Sequence, residues 1–248
     1  MSNKYLKALR SDTLATLASM GVDQLPLVDV IVCSKRPMCI GNITSYLNKQ
    51  TAKIGKVIFI VSGYDAGQVD LLKLSVTNGE VIVIEEAITV SLKDKINMAV
   101  SKSTSDYIAI MDDDNIYYPN YLHGQLAKLI GIDPNGMVTI NNAVAMCNKT
   151  KRVGLYYANL VSCDKCHGTN GSVVINKTLL ELYPIESFGL HGLGKYISNL
   201  KNEGHTVVYA NPFNFVYVRG TDNSREVPIT RTRLGYNAND ISLTNVIL

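Results

Sequence analysis

The sequence predicts an α/β fold: a mainly parallel central sheet flanked by helices, with an irregular region in the second half of the chain. Short apolar segments alternate with segments of helical periodicity, and such alternation is typical of parallel strands joined by right-handed helical crossovers. One apolar segment, Tyr107 to Met111, ends directly at three carboxylates, Asp112 to Asp114. Because this segment is short and continuously apolar, we expect a strand that is buried on both faces.

The expected elements follow from hydrophobic periodicity and from the Gly and Pro residues between them. In the first half they are a helix over 3–20, strands over 28–33, 56–61, 81–84 and 107–111, and helices over 40–50, 69–74 and 92–100. In the second half they are helices over 121–130 and 195–200, strands over 136–140, 206–209 and 214–219, and an irregular hairpin over 143–159 that turns at 149–152.

Composition indicates a globular chain with a sizeable core, because 46% of its 248 residues are hydrophobic. The formal net charge of +3 does not by itself indicate nucleic-acid binding, although Arg219, Arg225, Arg231 and Arg233 cluster near the C-terminus. No apolar run approaches the ~18 residues of a membrane span, and residues 1–10 lack the apolar core of a signal peptide. We therefore expect a cytoplasmic protein, with peripheral membrane contact through the 3–20 helix as an alternative to its packing on the domain.

The five cysteines form an odd set, which favours reduced thiols. Cys163, Cys166 and His167 match half of a zinc site and also the c-type haem attachment pattern. A second ligand pair is missing for zinc, and no secretion signal would deliver the chain for haem attachment. A loop with incidental or redox-sensitive thiols is the better interpretation.

The acidic triplet lies where a ligand site is expected, because ligands of open α/β sheets collect at the carboxyl ends of the strands. Three adjacent carboxylates repel one another and raise their own pKa values unless a cation neutralises them. Oxygen ligands suit Mg²⁺ or Mn²⁺, with a phosphate-bearing substrate completing the coordination. The alternative is a solvated turn in which Asn115 caps the next helix. The buried strand before the triplet and the helix opened by Pro119 after it favour the metal site.

Two common nucleotide motifs are absent, since neither GxGxxG nor GxxxxGK[ST] follows any predicted strand. A dinucleotide-dependent dehydrogenase and a P-loop enzyme are therefore not indicated. The remaining interpretation is a nucleotide-binding sheet that handles phosphates through a metal and basic side chains.

Three features of the chain carry a resemblance to a known family: the first strand with its exit at residues 34–37, the helix with Asn97, and the segment Tyr-Ile-Ala-Ile-Met-Asp-Asp-Asp-Asn. In these features the chain resembles the family 2 glycosyltransferases, which have the GT-A fold. The resemblance covers residues 27–220. It implies that the acidic motif of that family, DxD, is Asp112 and Asp114 here and holds Mn²⁺ or Mg²⁺ against the diphosphate of a nucleotide sugar. Asp222 would supply a further metal ligand.

With the length of the chain, the resemblance predicts a single GT-A-like domain over 1–248. Its parts would be an N-terminal helix (1–26), a nucleotide-sugar half (27–122), an acceptor half (123–218) and a basic tail (219–248). The implied nucleotide contacts are Ser34, Arg36, Asp65, Lys93, Asn97, Asp112, Asp113 and Arg219. In the acceptor half, the loop and strand over 167–176 contain glycines that allow backbone to approach a sugar closely.

Two departures from the family pattern leave questions open. Residues 62–64 replace an acidic pair that is common after the second strand, so the base is undecided, with a UDP-sugar as the favoured donor. The Glu-Asp pair that usually holds the catalytic base is absent, and His191 or Glu186 could accept the acceptor proton instead. A retaining mechanism, or an acceptor with its own base, is the alternative. Arg219 and Arg225 would neutralise the leaving diphosphate.

The leading hypothesis is a metal-dependent glycosyltransferase that moves a sugar from a nucleotide diphosphate donor to a hydroxyl acceptor. The acceptor could be a surface polysaccharide, a lipid-linked sugar, a protein or a modified DNA base. Two alternatives remain: a catalytically silent nucleotide-binding module of the same fold, and a sugar nucleotidyltransferase.

Overall fold

The computed structural model describes residues 25–140, 142–147, 153–157, 171–186, 192–210 and 214–219. The strands are β1 (Val28–Ser34), β2 (Ile54–Val61), β3 (Glu80–Glu85), β4 (Tyr107–Met111), β5 (Ile116–Tyr117), β6 (Met137–Thr139), β7 (Asn142–Cys147), β8 (Val153–Tyr157), β9 (Val173–Asn176), β10 (Val207–Tyr209) and β11 (Phe215–Arg219). The helices are α1 (Ile40–Asn48), α2 (Ala66–Ser75), α3 (Leu92–Val100), α4 (Tyr121–Ile132), α5 (Lys177–Leu182) and α6 (Gly192–Asn202), and a 3₁₀ turn (Pro37–Cys39) precedes α1.

Several predicted features lie outside the described residues. They are the helix over 3–20, the turn over 149–152, the cluster of Cys163, Cys166 and His167, and the tail beyond residue 219.

The main sheet has seven strands in the order β10-β6-β9-β4-β1-β2-β3. The pairs β4–β1, β1–β2 and β2–β3 are parallel, as is β10–β6. Strand β9 runs antiparallel to both of its neighbours, β4 and β6. The α/β class with a mainly parallel sheet is confirmed, whereas the reversed direction of β9 has no signature in its four residues.

A second sheet holds four strands in the order β5-β11-β7-β8. The antiparallel pairing of β7 with β8 confirms the expected hairpin. The prediction of an irregular region was incomplete, because β11 joins this hairpin in parallel and β5 joins β11. Strand β5, which begins one residue after Asn115, is too short to be recognised by periodicity.

The two faces of the main sheet are both covered. Alternate residues of β1 point to opposite faces, so that Val30 and Val32 pack under α1, α2 and α4 while Ile31 packs under α3, α5 and α6. All five residues of β4 are buried, as expected of a strand between two helical layers.

Helix boundaries follow local capping. Asp65 caps α2 with a reciprocal bond to Gln68, so this helix begins three residues before the predicted start. Helix α4 begins at Tyr121, as predicted, with Asn120 at the cap position, and it continues two residues beyond the predicted end to Ile132. The six-residue helix α5, capped by Asn176, was not predicted. None of the helices in the described ranges is long and apolar enough to cross a bilayer.

Candidate active site

The acidic triplet follows β4 at the carboxyl edge of the parallel strands, beside the end of β1. Val32 of β1 is in register with Met111 of β4, so the residues that follow them are close. The Ser34 hydroxyl donates to Oδ2 of Asp113 at 2.5 Å, and the Tyr64 hydroxyl donates to Ser34 at 2.8 Å. The predicted site residues at the ends of these two strands are therefore assembled.

Arg36 neutralises part of the triplet. Its guanidinium pairs with both oxygens of Asp113, with Nε at 3.1 Å from Oδ2, and Nη1 lies 2.7 Å from Oδ2 of Asp114. Asp113 is buried, with 2% of its surface exposed, so the arginine is the counter-charge that this carboxylate needs. Asp113 is thus committed to Arg36 and Ser34, and contact of these three residues with a nucleotide stays a prediction.

Asp112 is held through its backbone by two tyrosines. Its N–H donates to the Tyr117 hydroxyl at 2.7 Å, and that hydroxyl donates to the Gly171 carbonyl at 2.6 Å. The Tyr46 hydroxyl donates to the Asp112 carbonyl at 3.0 Å. Burial, with a contribution from the charge of Asp112, raises the pKa of both phenols, so each stays a neutral donor.

Gly171 lies directly against the Asp112 carboxylate. A Cβ at this position would overlap Oδ2 and Cγ of Asp112, and φ at Gly171 is +74°, a conformation that favours glycine. The sequence suggested that glycine in this loop admits a sugar. In the structure, the group that approaches Gly171 is the carboxylate itself.

The Asp112 carboxyl is electrostatically frustrated. Burial and the charges of Asp114 and Asp113 raise its pKa to about 7, although Arg36 and the hydrogen bond from Asn115 oppose this. The single charge of Arg36 therefore does not balance the three carboxylates.

Burial also affects the neighbouring thiol of Cys33. It raises the pKa of this thiol to about 12, so the thiol is unreactive at neutral pH.

The donor set fits a divalent cation that is shared with a substrate. Among the residues that the structure describes, no group of three or more His, Cys, Asp or Glu side chains is arranged to hold a metal. Asp113 is buried and bonds through both oxygens to Arg36 and Ser34, whereas Asp114 pairs with Arg36 through Oδ2, so Asp112 and Asp114 are the two carboxylates better suited to the ion. Mg²⁺ and Mn²⁺ sites of this kind take one or two carboxylates and fill the rest of their coordination with water and substrate phosphates.

The remaining predicted residues are more dispersed. Lys93 is half-buried on α3, and Asn97 donates to the Ile185 carbonyl at 3.4 Å. Asp65 is the exposed cap of α2, and the exposed Glu186 lies 3.9 Å from the Lys195 ammonium. Arg219 is the last residue of β11, whereas His191, Asp222 and Arg225 lie outside the described residues.

The helix-cap interpretation of Asn115 was wrong. Its side chain bonds to Asp112 and to the backbone of Val218, while Asn120 occupies the cap position of α4 without a side-chain bond.

Sequence reasoning missed several residues of the site. They are Asn42, Tyr46, Tyr64, Lys95, Tyr117 and Gly171 as a contact of Asp112. Lys95 is 7% exposed, and its ammonium donates to the Ser62 hydroxyl at 2.6 Å, at the end of β2. In the sequence, these tyrosines cannot be distinguished from ordinary core residues, so no local pattern marked them as part of the site.

Comparison with known proteins gives a family and a fold. The model of the glycosyl transferase family 2 matches residues 30–159, more than half of the chain. A mannosyltransferase from Pyrobaculum calidifontis, solved in complex with GDP-Man and Mn²⁺, is similar with a TM-score of 0.56 at 16% identity. The similarity covers 87% of this chain and 65% of that one, so this chain spans less than two thirds of its length. No curated protein sequence matches. The fold is the GT-A fold, and the chain belongs to glycosyl transferase family 2.

Proposed function

We propose that this chain is a metal-dependent glycosyltransferase that moves a sugar from a nucleotide diphosphate donor to a hydroxyl acceptor. Its family and fold support the reaction class. The observation that carries the proposal is the pair Asp112 and Asp114 at the carboxyl edge of β4, whose charge Arg36 offsets only in part. A divalent cation with a diphosphate would complete this charge balance.

Asp112 and Asp114 would hold Mn²⁺ or Mg²⁺ in this proposal. The bound ion would offset the negative charge that develops on the departing diphosphate. Tyr117 and Tyr46 hold the backbone of Asp112 from two sides, so its carboxylate is presented from a rigid support. Arg36 allows the buried Asp113 to stand beside these two carboxylates, which keeps the acidic segment folded at the edge of the sheet.

The nucleoside would extend from Asp112 toward β1 and β2. Gly171 closes the other side of Asp112, whereas parallel strand ends continue past β1 to β2. The buried Lys95 and Ser62 lie at the end of β2, and Lys93, Asn97, Asp65 and Arg219 are the further predicted contacts. Ligand binding across such strand ends is the general rule of open α/β sheets.

The proposal also assigns a proton acceptor and a role for the C-terminal tail. The Glu186 side chain is 74% exposed, so an acceptor hydroxyl could reach it. His191 is the other candidate base, Asp222 would join the metal, and Arg219 and Arg225 would face the leaving diphosphate. The similar structure contains GDP-Man, whereas the sequence favours a UDP-sugar, so both donors belong in the tests.

Thermal unfolding with a panel of nucleotides tests the proposal directly. We expect UDP or GDP, or a sugar derivative of one of them, to raise the melting temperature only when Mn²⁺ is present. A ligand at 100 times its Kd stabilises the native state by about 2.7 kcal/mol. Release of nucleoside diphosphate during incubation with the donor then separates an active transferase from a silent module.

Asp114→Ala is the matched loss-of-function variant. It should abolish the metal-dependent shift, because one of two carboxylate ligands is removed. Asp70→Ala is the control: this carboxylate is exposed on α2 and should leave the shift unchanged. Unchanged nucleotide binding in Asp114→Ala would exclude the metal assignment.

A further inference from the structure

Asn115 connects the two sheets at the proposed metal site. It is completely buried, with 0% exposure, and both ends of its amide are used. Nδ2 donates to Oδ2 of Asp112 at 2.9 Å, and Oδ1 accepts the N–H of Val218 at 2.9 Å. One side chain therefore bonds both to a carboxylate of the main-sheet edge and to a strand of the second sheet.

The chemistry of the partners fixes the orientation of this amide. The backbone N–H of Val218 can only donate, so it requires Oδ1 of Asn115 on its side and thereby places Nδ2 toward Asp112. Aspartate at position 115 could accept from Val218 but would repel Asp112. Leucine, of similar size, could bond to neither. Among the residue types of this size and shape, asparagine alone satisfies both contacts.

The backbone around Asn115 is also held in place. Asn42 donates from Nδ2 to the carbonyls of Asp113 and Asn115, at 3.0 and 3.1 Å. The next two residues form β5, which pairs with Phe215 and Val216 of β11. The backbone on either side of Asn115 is thus anchored, and its amide links the Asp112 carboxylate directly to the N–H of Val218.

We propose that Asn115 is a positioning residue that orients the Asp112 carboxylate for the metal–nucleotide complex and couples occupancy of that site to β11. This rests on the proposed function. Outer partners that hold a metal-binding carboxylate tune metal affinity by about 10–100-fold. By thermodynamic reciprocity, a ligand that favours the Asn115-bonded orientation of Asp112 also stabilises the contact with Val218.

Asn115→Leu tests the positioning role. We expect Mn²⁺ affinity, measured by titration in the presence of UDP or of GDP, to fall about 10–100-fold. Asn78→Leu is the control, because it removes another asparagine amide that bonds to distant backbone, at the carbonyls of Leu47, Gln50 and Ala52, away from the Asp112 carboxylate. It should lower stability and leave the Mn²⁺ titration unchanged. Equal Mn²⁺ affinity in Asn115→Leu and wild type would overturn the proposal.

Hydrogen exchange at the Val218 amide provides a test that needs no variant. In the wild-type chain, Mn²⁺ with the nucleotide should slow exchange at Val218 and leave the amide of Val208 in β10 unaffected. Unchanged exchange at Val218 in the saturated protein would overturn the coupling. If the wild type binds neither UDP nor GDP with Mn²⁺, the proposed function fails and this inference with it; a normal wild type with a normal Asn115→Leu rejects the inference alone.

Discussion

Asp29 and Asp112 lie toward opposite ends of two neighbouring strands, and their surroundings are opposites. Asp29 is fully buried in β1 and accepts five hydrogen bonds, from the N–H groups of Lys56, Thr104 and Ser105 and from the hydroxyls of Ser103 and Ser105. Burial raises its pKa, but these bonds outweigh burial and lower it. Within the part of the chain that the structure describes, Asp112 receives one side-chain bond, and burial and two like charges raise its pKa to about 7.

This difference separates a carboxylate that the fold satisfies from one that we propose binds a metal ion. Hydrogen bonds at both oxygens satisfy Asp29 within the fold, and nothing further is needed to keep its charge buried. Asp112 keeps an unbalanced charge that the fold alone does not remove, at the edge where ligands of such sheets bind. Perturbed carboxyl groups in such positions are typical of functional sites.

Removing the Asp29 carboxylate should produce the largest effect on stability. Asp29→Ala leaves several buried donors without an acceptor, so we expect the free energy of unfolding to fall by about 3–4 kcal/mol. Urea unfolding measures the change. Asp70→Ala, on the exposed face of α2, should stay within about 0.5 kcal/mol of wild type. A small loss in Asp29→Ala would mean that the bonds at the amino end of the sheet are dispensable.

A methyl group at Gly171 should disturb the other carboxylate. Gly171→Ala combines a positive φ with overlap of Asp112, and we expect a loss of about 2–4 kcal/mol together with weaker Mn²⁺ binding. Gly204→Ala is the matched control, because Gly204 has φ +84° but open space around the added Cβ. It should cost about 1 kcal/mol and leave Mn²⁺ binding intact. Equal losses in both variants would show that only the backbone conformation matters.

The pH dependence of the metal-free protein should distinguish the two carboxylates by sign. The pKa of Asp112 is about 7 in the folded chain and about 3.9 unfolded. The folded state therefore binds more protons between these values, and its stability falls as pH rises through this window. Asp29 acts oppositely: its contribution is present above the unfolded pKa and is lost on acidification. Binding of Mn²⁺ should also release protons near neutral pH.

Urea midpoints of wild type and Asp112→Asn at about pH 5 and about pH 8 measure the contribution of Asp112. The variant should lack the fall in stability between the two values. An identical pH dependence in both proteins would show that the Asp112 carboxyl titrates normally.

The smallest expected effect concerns a third carboxylate, Asp65, which caps α2. Asp65→Ala should cost about 1 kcal/mol, since the N–H of Gln68 loses its acceptor. Asp65→Ser retains a capping oxygen and should recover most of that stability. Urea unfolding of wild type and the two variants measures these differences in stability. Reduced nucleotide binding in Asp65→Ser would support the predicted contact of Asp65 with the nucleotide.

The main features of the fold could be predicted because they depend on the local pattern of apolar residues. The continuously apolar segment before Asp112 predicted a strand buried on both faces, and β4 is buried throughout. The alternation of strands and helices predicted a mainly parallel sheet, and β1 to β4 pair in parallel. The reversed β9, the short β5 and the assembly of a second sheet depend on partners far along the chain, which periodicity does not encode.

By itself, the sequence determined the fold class, the family resemblance and the position of the acidic triplet at the end of a buried strand. Only the tertiary structure decided which partners surround each of the three carboxylates. Arg36 reaches Asp113 across 77 residues, Tyr117 reaches Gly171 across 54, and Val218 reaches Asn115 across 103. Spacing along the chain reports which residues share a strand or a helix face, whereas the charge and orientation of a carboxylate depend on groups that only folding brings within hydrogen-bond distance.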